Sequence, residues 1–144
     1  MAEKLCTLRK YGGGRLKETV LWTNPNPSVA TGFPTGDVTL SKNLSDYKYV
    51  KVTYGYAYNQ HTGDNVFSAM YDVELFKKTV APATYGFSGC LNVTHRSNGN
   101  FYDRRFMYAT DTTLNFGSCF MYKNNTAATI SNIFVIPLEI IGLK

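Results

Sequence analysis

The sequence predicts an all-β fold: an antiparallel, jelly-roll-like β-sandwich of about eight or nine strands. Three observations predict it. Apolar and polar residues alternate with a period of two in most segments, turn-forming residues separate those segments, and no window carries a capped 3.6-residue apolar stripe. The composition agrees, because 11 Tyr and 9 Phe accompany only 17% charged residues, which is typical of β-structure with semi-polar surfaces.

The first strand of the sandwich is predicted at "ETVLW", residues 18–22, directly before "TNPNP". A residue that precedes proline is disfavoured in the helical region, and proline has no N–H to donate to a neighbouring strand, so pairing should end there. Trp22 is the single tryptophan. We expect its ring to plug one end of the core while its N–H finds a partner. The alternative is that Trp22 serves as a platform for a ligand.

The following segments each present alternate residues to the core, with "DVTL" and "RRFMYA" as shorter strand candidates. The residues predicted to face inward are Val50, Val52, Tyr54, Tyr56, Tyr58, Phe67, Ala69, Tyr71, Val73, Leu75, Tyr85, Phe87, Leu91, Val93, Leu114, Phe116 and Phe120. Asp72 and Glu74 should share the solvent face of the strand over 66–78. One helical turn is predicted at "NLSDY", with Asn43 or Ser45 as its cap.

The C-terminal run, residues 130–143, differs because it is apolar on both faces. Such a run suits a central strand, or a strand that a neighbouring subunit covers. Pro137 removes one hydrogen-bond donor, which predicts a bulge or an edge position. We expect residues 1–144 to form one domain, in which residues 1–14 are an N-terminal arm or a first strand.

Charge and cysteine content limit the partners. The formal net charge is +5, but the basic residues are too dilute and lack interleaved aromatic residues, so we expect no nucleic acid. The apolar run at the C-terminus is too short for a bilayer, so we expect no membrane insertion.

Three widely spaced cysteines fit neither a disulfide framework nor a zinc site, and we expect free thiols, no metal and no cofactor. The first fourteen residues lack the apolar segment of a secretory signal, which predicts synthesis in a cytosol.

Catalytic signatures are missing from the sequence. His61 and His95 belong to no nucleophile motif, and the glycine-rich turns resemble no phosphate-binding loop. We therefore expect no enzyme. A glycan-cleaving enzyme stays open as an alternative, because two carboxylates on different strands can face each other in the fold.

A ligand-binding surface is predicted where aromatic rings stand beside amide, acidic and basic groups in or near turns, a combination that suits sugars. The predicted binding residues are Tyr56, Tyr58, Asn59, His61, Tyr102, Asp103, Arg104 and Arg105. The alternative is that these residues simply line the core and loops of a tyrosine-rich sandwich.

Three segments carry a family resemblance: "ETVLWTNPNP", "VTLSKNLSDYKYVKVTY" and "NIFVIPLEIIGLK". In sequence and in order they resemble C-terminal domains of tail and fibre proteins from bacteriophages and prophages of gut bacteria. The resemblance covers both ends and the first long strand, but not residues 59–126. It concerns the scaffold and carries over no catalytic residue.

The resemblance implies a non-catalytic host-recognition module of a virion, made in the cytoplasm of a bacterial host. The implied partners are further copies of the chain (a trimer above all), other virion proteins, and a host-surface glycan. The alternative is a capsid decoration protein, a head fibre or another purely structural virion component that makes protein contacts only.

Overall fold

Antiparallel strands dominate the structure, which is a computed structural model. It describes residues 14–28, 31–56, 66–77, 89–97, 99–123, 126–130 and 135–144. The strands are β1 Glu18–Thr23, β2 Gly36–Thr39, β3 Tyr49–Tyr56, β4 Val66–Asp72, β5 Gly89–Ser97, β6 Gly99–Ala109, β7 Thr113–Lys123, β8 Thr126–Ile130 and β9 Val135–Leu143. A short helix, α1, spans Val73–Lys77, and a 3-10 helix spans Leu44–Asp46. The predicted arm over residues 1–14 lies outside the described residues, apart from Gly14.

The strands form two sheets. The four-stranded sheet has the order β1-β9-β3-β4, and in the five-stranded sheet β2-β7-β6-β5 are neighbours while β8 pairs with β7. The chain changes sheet between β1 and β2, β2 and β3, β4 and β5, and β8 and β9. This arrangement confirms the predicted antiparallel β-sandwich, and the first strand lies beside the last.

In the regular strands, alternate residues fill the space between the sheets, as predicted. Val50, Val52 and Tyr54 of β3 are buried, and so are Leu91 and Val93 of β5. Each such side chain contributes about 1.5–3 kcal/mol through its removal from water. Tyr58, Tyr85 and Phe87, also predicted to face inward, lie outside the described residues.

β9 is an internal strand of the four-stranded sheet, as the apolar character of both its faces predicted. It pairs with β1 on one side and with β3 on the other. The predicted irregularity at Pro137 is present, because Thr53 pairs with Glu139 and Tyr54 pairs with Pro137, which leaves Leu138 as an extra residue in β9. Such a bulge accommodates the missing N–H of proline.

The end of β1 explains the run "WTNPNP". The Trp22 ring lies 5.8 Å from the Phe33 ring and 6.2 Å from the Phe116 ring, and packs against the core, which confirms its predicted plugging role. The backbone N–H of Asn24 donates to Leu138 O at 2.8 Å, and its side-chain Nδ2 donates to Pro137 O at 2.8 Å. Asn24 therefore ends β1 and binds the β9 bulge.

The prediction of one strand over residues 66–78 is wrong in its second half. The strand ends at Asp72, and α1 follows at Val73. The Leu75 N–H donates to Asp72 Oδ1 at 3.2 Å, the bond by which a helix-capping residue satisfies an N–H of the first turn. Phe76 is buried and Leu75 is 65% exposed, so Leu75 is not a core residue. Glu74 belongs to the helix and shares no strand with Asp72.

A clamp holds the 3-10 helix. Asn43 occupies the N-cap position, one of the two predicted, but its side chain makes no capping bond, and Ser45 lies within the helix. Instead, Asp111 Oδ1 accepts hydrogen bonds from the Ser45 N–H at 3.2 Å and from the Ser45 hydroxyl, and it pairs with Lys77 Nζ at 2.6 Å. These bonds hold the pKa of Asp111 below its ordinary value, chiefly through the hydrogen bond from Lys77. The clamp joins α1, the 3-10 helix and the turn before β7.

Tyrosine hydroxyls close the seam between the sheets at the β5 edge. Tyr71 OH donates to Cys90 O at 2.6 Å and accepts from Cys90 N at 3.1 Å. Tyr54 OH donates to Asn92 O at 2.8 Å. Backbone groups of an edge strand that already have partners cannot recruit a foreign strand.

Candidate functional site

The outer face of the five-stranded sheet carries aromatic and hydrogen-bonding side chains together. We call this surface the aromatic face. Its residues are Asp37 of β2, Asn92 of β5, Arg104, Phe106 and Tyr108 of β6, and Asn115 and Phe120 of β7. The intervening residues of β6 point to the core, since Arg105, Met107 and Ala109 are buried. Alternation along β6 therefore brings Arg104, Phe106 and Tyr108 to one surface.

A bulge in β7 adds Phe120 to this face. Arg105 pairs with Cys119 and Met107 pairs with Phe116, so β7 has one more residue than β6 between these pairs. The extra residue reverses the alternation. The prediction that Phe120 faces inward with Phe116 is therefore wrong, and the buried Cys119 takes the inward position.

The aromatic rings are held in fixed relation to each other. The Phe106 and Phe120 rings meet edge to face, with centroids 5.6 Å apart and planes at 64°. The guanidinium carbon of Arg104 lies 5.6 Å from the Phe106 centroid, in cation–π range. Tyr108 is 43% exposed. Phe106 and Phe120 are half-buried, so part of each ring reaches the surface, and neighbouring exposed apolar side chains are characteristic of binding surfaces.

The polar side chains are oriented by bonds among themselves. Arg104 Nε donates to Asn92 Oδ1 at 3.1 Å, and Cys90 Sγ lies 3.3 Å from the same oxygen. At the opposite corner, Asn115 Nδ2 donates to Asp37 Oδ1 at 2.8 Å. Partners of this kind restrict rotamers, which prepares a surface for binding at lower entropic cost.

The aromatic face is large enough for an extended ligand. Arg104 and Tyr108 are four residues apart on β6, about 14 Å at ~3.4 Å per residue. The three strand spacings from β5 to β2 add a width of about 14 Å at ~4.8 Å each. A ligand with several sugar rings can therefore contact both ends.

The thiol beside the aromatic face is unsuited to nucleophilic chemistry. Burial raises the pKa of Cys90 to about 11, and the opposing effect of the nearby Arg104 charge is smaller. A thiol with such a pKa is protonated at neutral pH, whereas the thiolate is the nucleophile. Among the described residues, Cys90 and Cys119 form no disulfide, as predicted.

The Asp111 clamp also contains a serine beside a lysine, a pairing that some hydrolases use. Lys77 Nζ lies 3.1 Å from Ser45 Oγ. A lysine that acts as a base must be neutral, whereas Lys77 forms an ion pair with Asp111. The arrangement stabilises the fold and offers no activated nucleophile.

The predicted binding residues fall into three groups. Arg104 lies on the aromatic face. Asp103 and Arg105 are fully buried, because both lie within β6 and face the core. Tyr56 points to the core side of β3 and packs there. Tyr58, Asn59 and His61 lie outside the described residues, and for Tyr102 the structure describes only its backbone in β6.

Arg105 has a structural position. Its Nη1 donates to Val135 O at 2.9 Å, and its Nη2 donates to Phe33 O at 2.8 Å and Pro34 O at 2.9 Å. The Phe33 ring lies 5.3 Å from the guanidinium. Burial lowers the pKa of Arg105. The guanidinium thus joins β6, β9 and the segment before β2, and it is absent from the aromatic face.

Sequence reasoning missed most of the aromatic face. The pattern "RRFMYA" did contain the alternation that places Arg104, Phe106 and Tyr108 together. It did not contain the pairing of β7 with β6, which brings in Asn115 and Phe120.

Among the described side chains, no group of three His, Cys, Asp or Glu residues is arranged to hold a metal ion. Within the same ranges, no helix has the length and apolar character to cross a membrane. No family model and no curated protein sequence matches this chain.

Proposed function

We propose that this protein is a non-catalytic host-recognition module of a bacteriophage virion, and that it binds host-surface glycan through the aromatic face. The observation that carries the proposal is the position of Phe106, Phe120 and Tyr108 on a solvent-facing sheet beside oriented amide, acidic and guanidinium groups. The virion setting rests on the sequence resemblance of the first, second and last motifs.

The chemistry of this face suits saccharides. Sugar rings have apolar C–H faces that pack on aromatic rings, and hydroxyl groups that both donate and accept hydrogen bonds. Phe106 and Tyr108 offer the apolar contact, while Asn92, Asn115 and Asp37 offer donors and acceptors. A site on strands is held more rigidly than a site on loops.

A binding role without catalysis agrees with the distribution of acids. Glycoside hydrolysis needs two carboxyl groups about 5–9.5 Å apart across the scissile bond. Among the described side chains, Asp37 is the one carboxylate on the aromatic face, and the buried Asp103 faces the core. Release of reducing ends from a bound polysaccharide, lost when Asp37 is replaced by Asn, would contradict the non-catalytic assignment.

Several copies of the module would strengthen weak single sites. When sites are linked, the second binding event occurs at a high effective concentration, and avidity rises without new contacts. We therefore propose that the protein acts as a homo-oligomer, with a trimer favoured, alongside other virion proteins.

A purely structural virion component is the second candidate. The observation that favours it lies on the four-stranded sheet, whose outer face exposes Val20 at 51%, Val66 at 65% and Met70 at 56%. Exposed apolar side chains of this kind are typical of protein contacts. Tight association with another virion protein, together with no binding to any bacterial glycan, would favour this role.

The test compares binding of the wild type and of Phe106→Ala to an array of bacterial surface glycans. Tyr49→Ala is the matched control, because Tyr49 is a half-buried aromatic residue on the outer face of the other sheet. We expect Phe106→Ala to lose glycan binding and Tyr49→Ala to keep it. Equal binding by both variants would contradict the proposed site.

A further inference from the structure

Gly117 lies in the middle of the aromatic face. It follows the buried Phe116 on β7, so the alternation of the strand places it on the outer face, and the β7 bulge sets it opposite Phe106 of β6. A Cβ added at Gly117 would lie 3.7 Å from Phe106 Cβ, so position 117 faces the same surface as the Phe106 ring. Gly117 is half-buried, and solvent therefore reaches its backbone.

Neither the backbone nor the packing of the fold requires a glycine at position 117. Its φ angle is outside the left-handed range, unlike that of Gly32 at 66°, so the bulge is not of the kind that needs a left-handed glycine. An added Cβ would come no closer than 3.4 Å, to Phe106 O, whereas a Cβ at Gly142 would lie 2.5 Å from the Tyr47 ring. A glycine inside a strand weakens the strand, but it also allows a ligand to approach the backbone closely.

The side chains around Gly117 provide aromatic walls and one oriented amide. Phe106 lies across from it on β6, and Phe120 follows it on β7, with the two ring centroids 5.6 Å apart. Asn115 lies two residues before Gly117, about 7 Å away at ~3.4 Å per residue. Its Nδ2 donates to Asp37 Oδ1 at 2.8 Å, which orients the carboxamide. We call the space above Gly117, bordered by Phe106, Phe120 and Asn115, the central gap.

We propose that the central gap binds the acetamido group of an N-acetylated sugar in the host-surface glycan. The inference rests on the proposed function, since it names the ligand class of the same face. The methyl of an acetamido group is apolar and suits contact with Phe106 and Phe120. Its N–H and C=O are complementary to the Asn115 carboxamide, which has both an acceptor and donors. A sugar hydroxyl in the same place has no methyl group to bury.

Two kinds of oligosaccharide that differ in this one group provide the direct test. Chito-oligosaccharides and cello-oligosaccharides have the same backbone of β-linked rings, but the former carry an acetamido group where the latter carry a hydroxyl. We would measure the affinity of the wild type for both by isothermal titration calorimetry. We expect the chito-oligosaccharide to bind about tenfold to fiftyfold more tightly, because burial of one methyl and one further hydrogen bond contribute on that scale.

Variants that fill the central gap separate this contact from the rest of the face. Gly117→Leu should lose the preference for the chito-oligosaccharide, and Gly117→Ala should lose part of it. Gly55→Leu is the matched control, because Gly55 follows the buried Tyr54 on the other sheet and a Cβ added there would lie 3.8 Å from Leu138. It should keep the full preference. Retention of the preference in Gly117→Leu, or an equal loss in Gly55→Leu, would overturn the inference.

The remaining outcomes distinguish this inference from the proposed function. If both oligosaccharides bind the wild type equally and Phe106→Ala abolishes binding, the acetamido inference is overturned and the binding face stands. If neither oligosaccharide binds, the inference is overturned, and the glycan array decides whether the binding face stands. Melting temperatures within a few degrees of the wild type show that the variants are folded, and the comparison of the two oligosaccharides on the wild type needs no variant.

Discussion

Arg105 joins three segments of the chain through one buried guanidinium, and its removal should be costly. In Arg105→Ala, the carbonyl groups of Val135, Phe33 and Pro34 lose charged donors that lie 2.8–2.9 Å away. A buried acceptor without a partner costs about 1–3 kcal/mol. Val135 O is in the buried interior, whereas the other two carbonyls are partly buried and can regain water, so their costs fall at the low end.

These costs sum to about 3–5 kcal/mol in the free energy of unfolding. Relief of the burial cost of the charge moves the net loss toward the lower part of that range. For a domain of this size, the melting temperature should fall by roughly 10–15 °C. Urea titration followed by the fluorescence of Trp22 suits the measurement, because that ring packs edge to face on Phe33. The slope of the free energy against urea should stay unchanged, while the midpoint should fall.

The neighbouring arginine provides the control. Arg104→Ala removes the same side chain from the outer face and should change stability by less than about 1 kcal/mol. Arg105→Lys should fall between the two, because one ammonium group cannot reach three carbonyls with the planar geometry of a guanidinium. If Arg105→Ala were as stable as Arg104→Ala, the structural role of Arg105 would be refuted. The low stability also means that lost ligand binding in Arg105→Ala does not identify a contact.

Three further predictions concern the fold. In Gly142→Ala, the new Cβ would lie 2.5–2.8 Å from the Tyr47 ring, so overpacking should destabilise the protein by about 1–3 kcal/mol in thermal unfolding; a neutral result would contradict the close contact. Tyr71→Phe removes both hydroxyl bonds to the β5 edge and should cost about 1–2 kcal/mol in urea titration, and it should speed hydrogen exchange in β5. The pKa of Asp111 is lowered, chiefly by the hydrogen bond from Lys77. The stabilisation that Asp111 gives the fold is therefore fully present above the ordinary carboxyl pKa, and it disappears as the pH falls through the lowered pKa. Asp111→Asn should lose this pH-dependent part of the stability, which a series of melting curves at different pH values measures.

The alternation of residues predicted the strands and their inward faces wherever the strand was regular. Val50 and Val52 of β3 are examples, because a period of two over many residues fixes which side is buried. The same pattern failed after Val73. Leu75 lies two residues after Val73, as in a strand, whereas Phe76 lies three residues after it, as on one face of a helix, and the segment forms a five-residue helix. Phe76, which lies three residues after Val73, is the buried partner there, and the cap at Asp72 was the available local signal.

The candidate site was less accessible from sequence for a geometric reason. Arg104 and Arg105 are adjacent and chemically identical, yet one is on the outer face and the other is buried. The alternation of a strand predicts that their side chains point to opposite faces of the sheet, but only strand pairing decides which of them faces the core. A single extra residue in β7 likewise moved Phe120 from the predicted core to the surface. The predicted binding residues were assigned to loops and turns, whereas the candidate surface lies on the sheet itself.

Chemical-shift mapping of backbone amides during titration with a bacterial glycan that the array identifies tests the central claim most directly. If the aromatic face binds the glycan, the largest shifts occur at Asn92, Phe106, Tyr108 and Phe120, with little change at Val20 and Met70 on the opposite sheet. Shifts confined to the four-stranded sheet, or saturation binding that leaves the β5–β6–β7 amides unchanged, would contradict it.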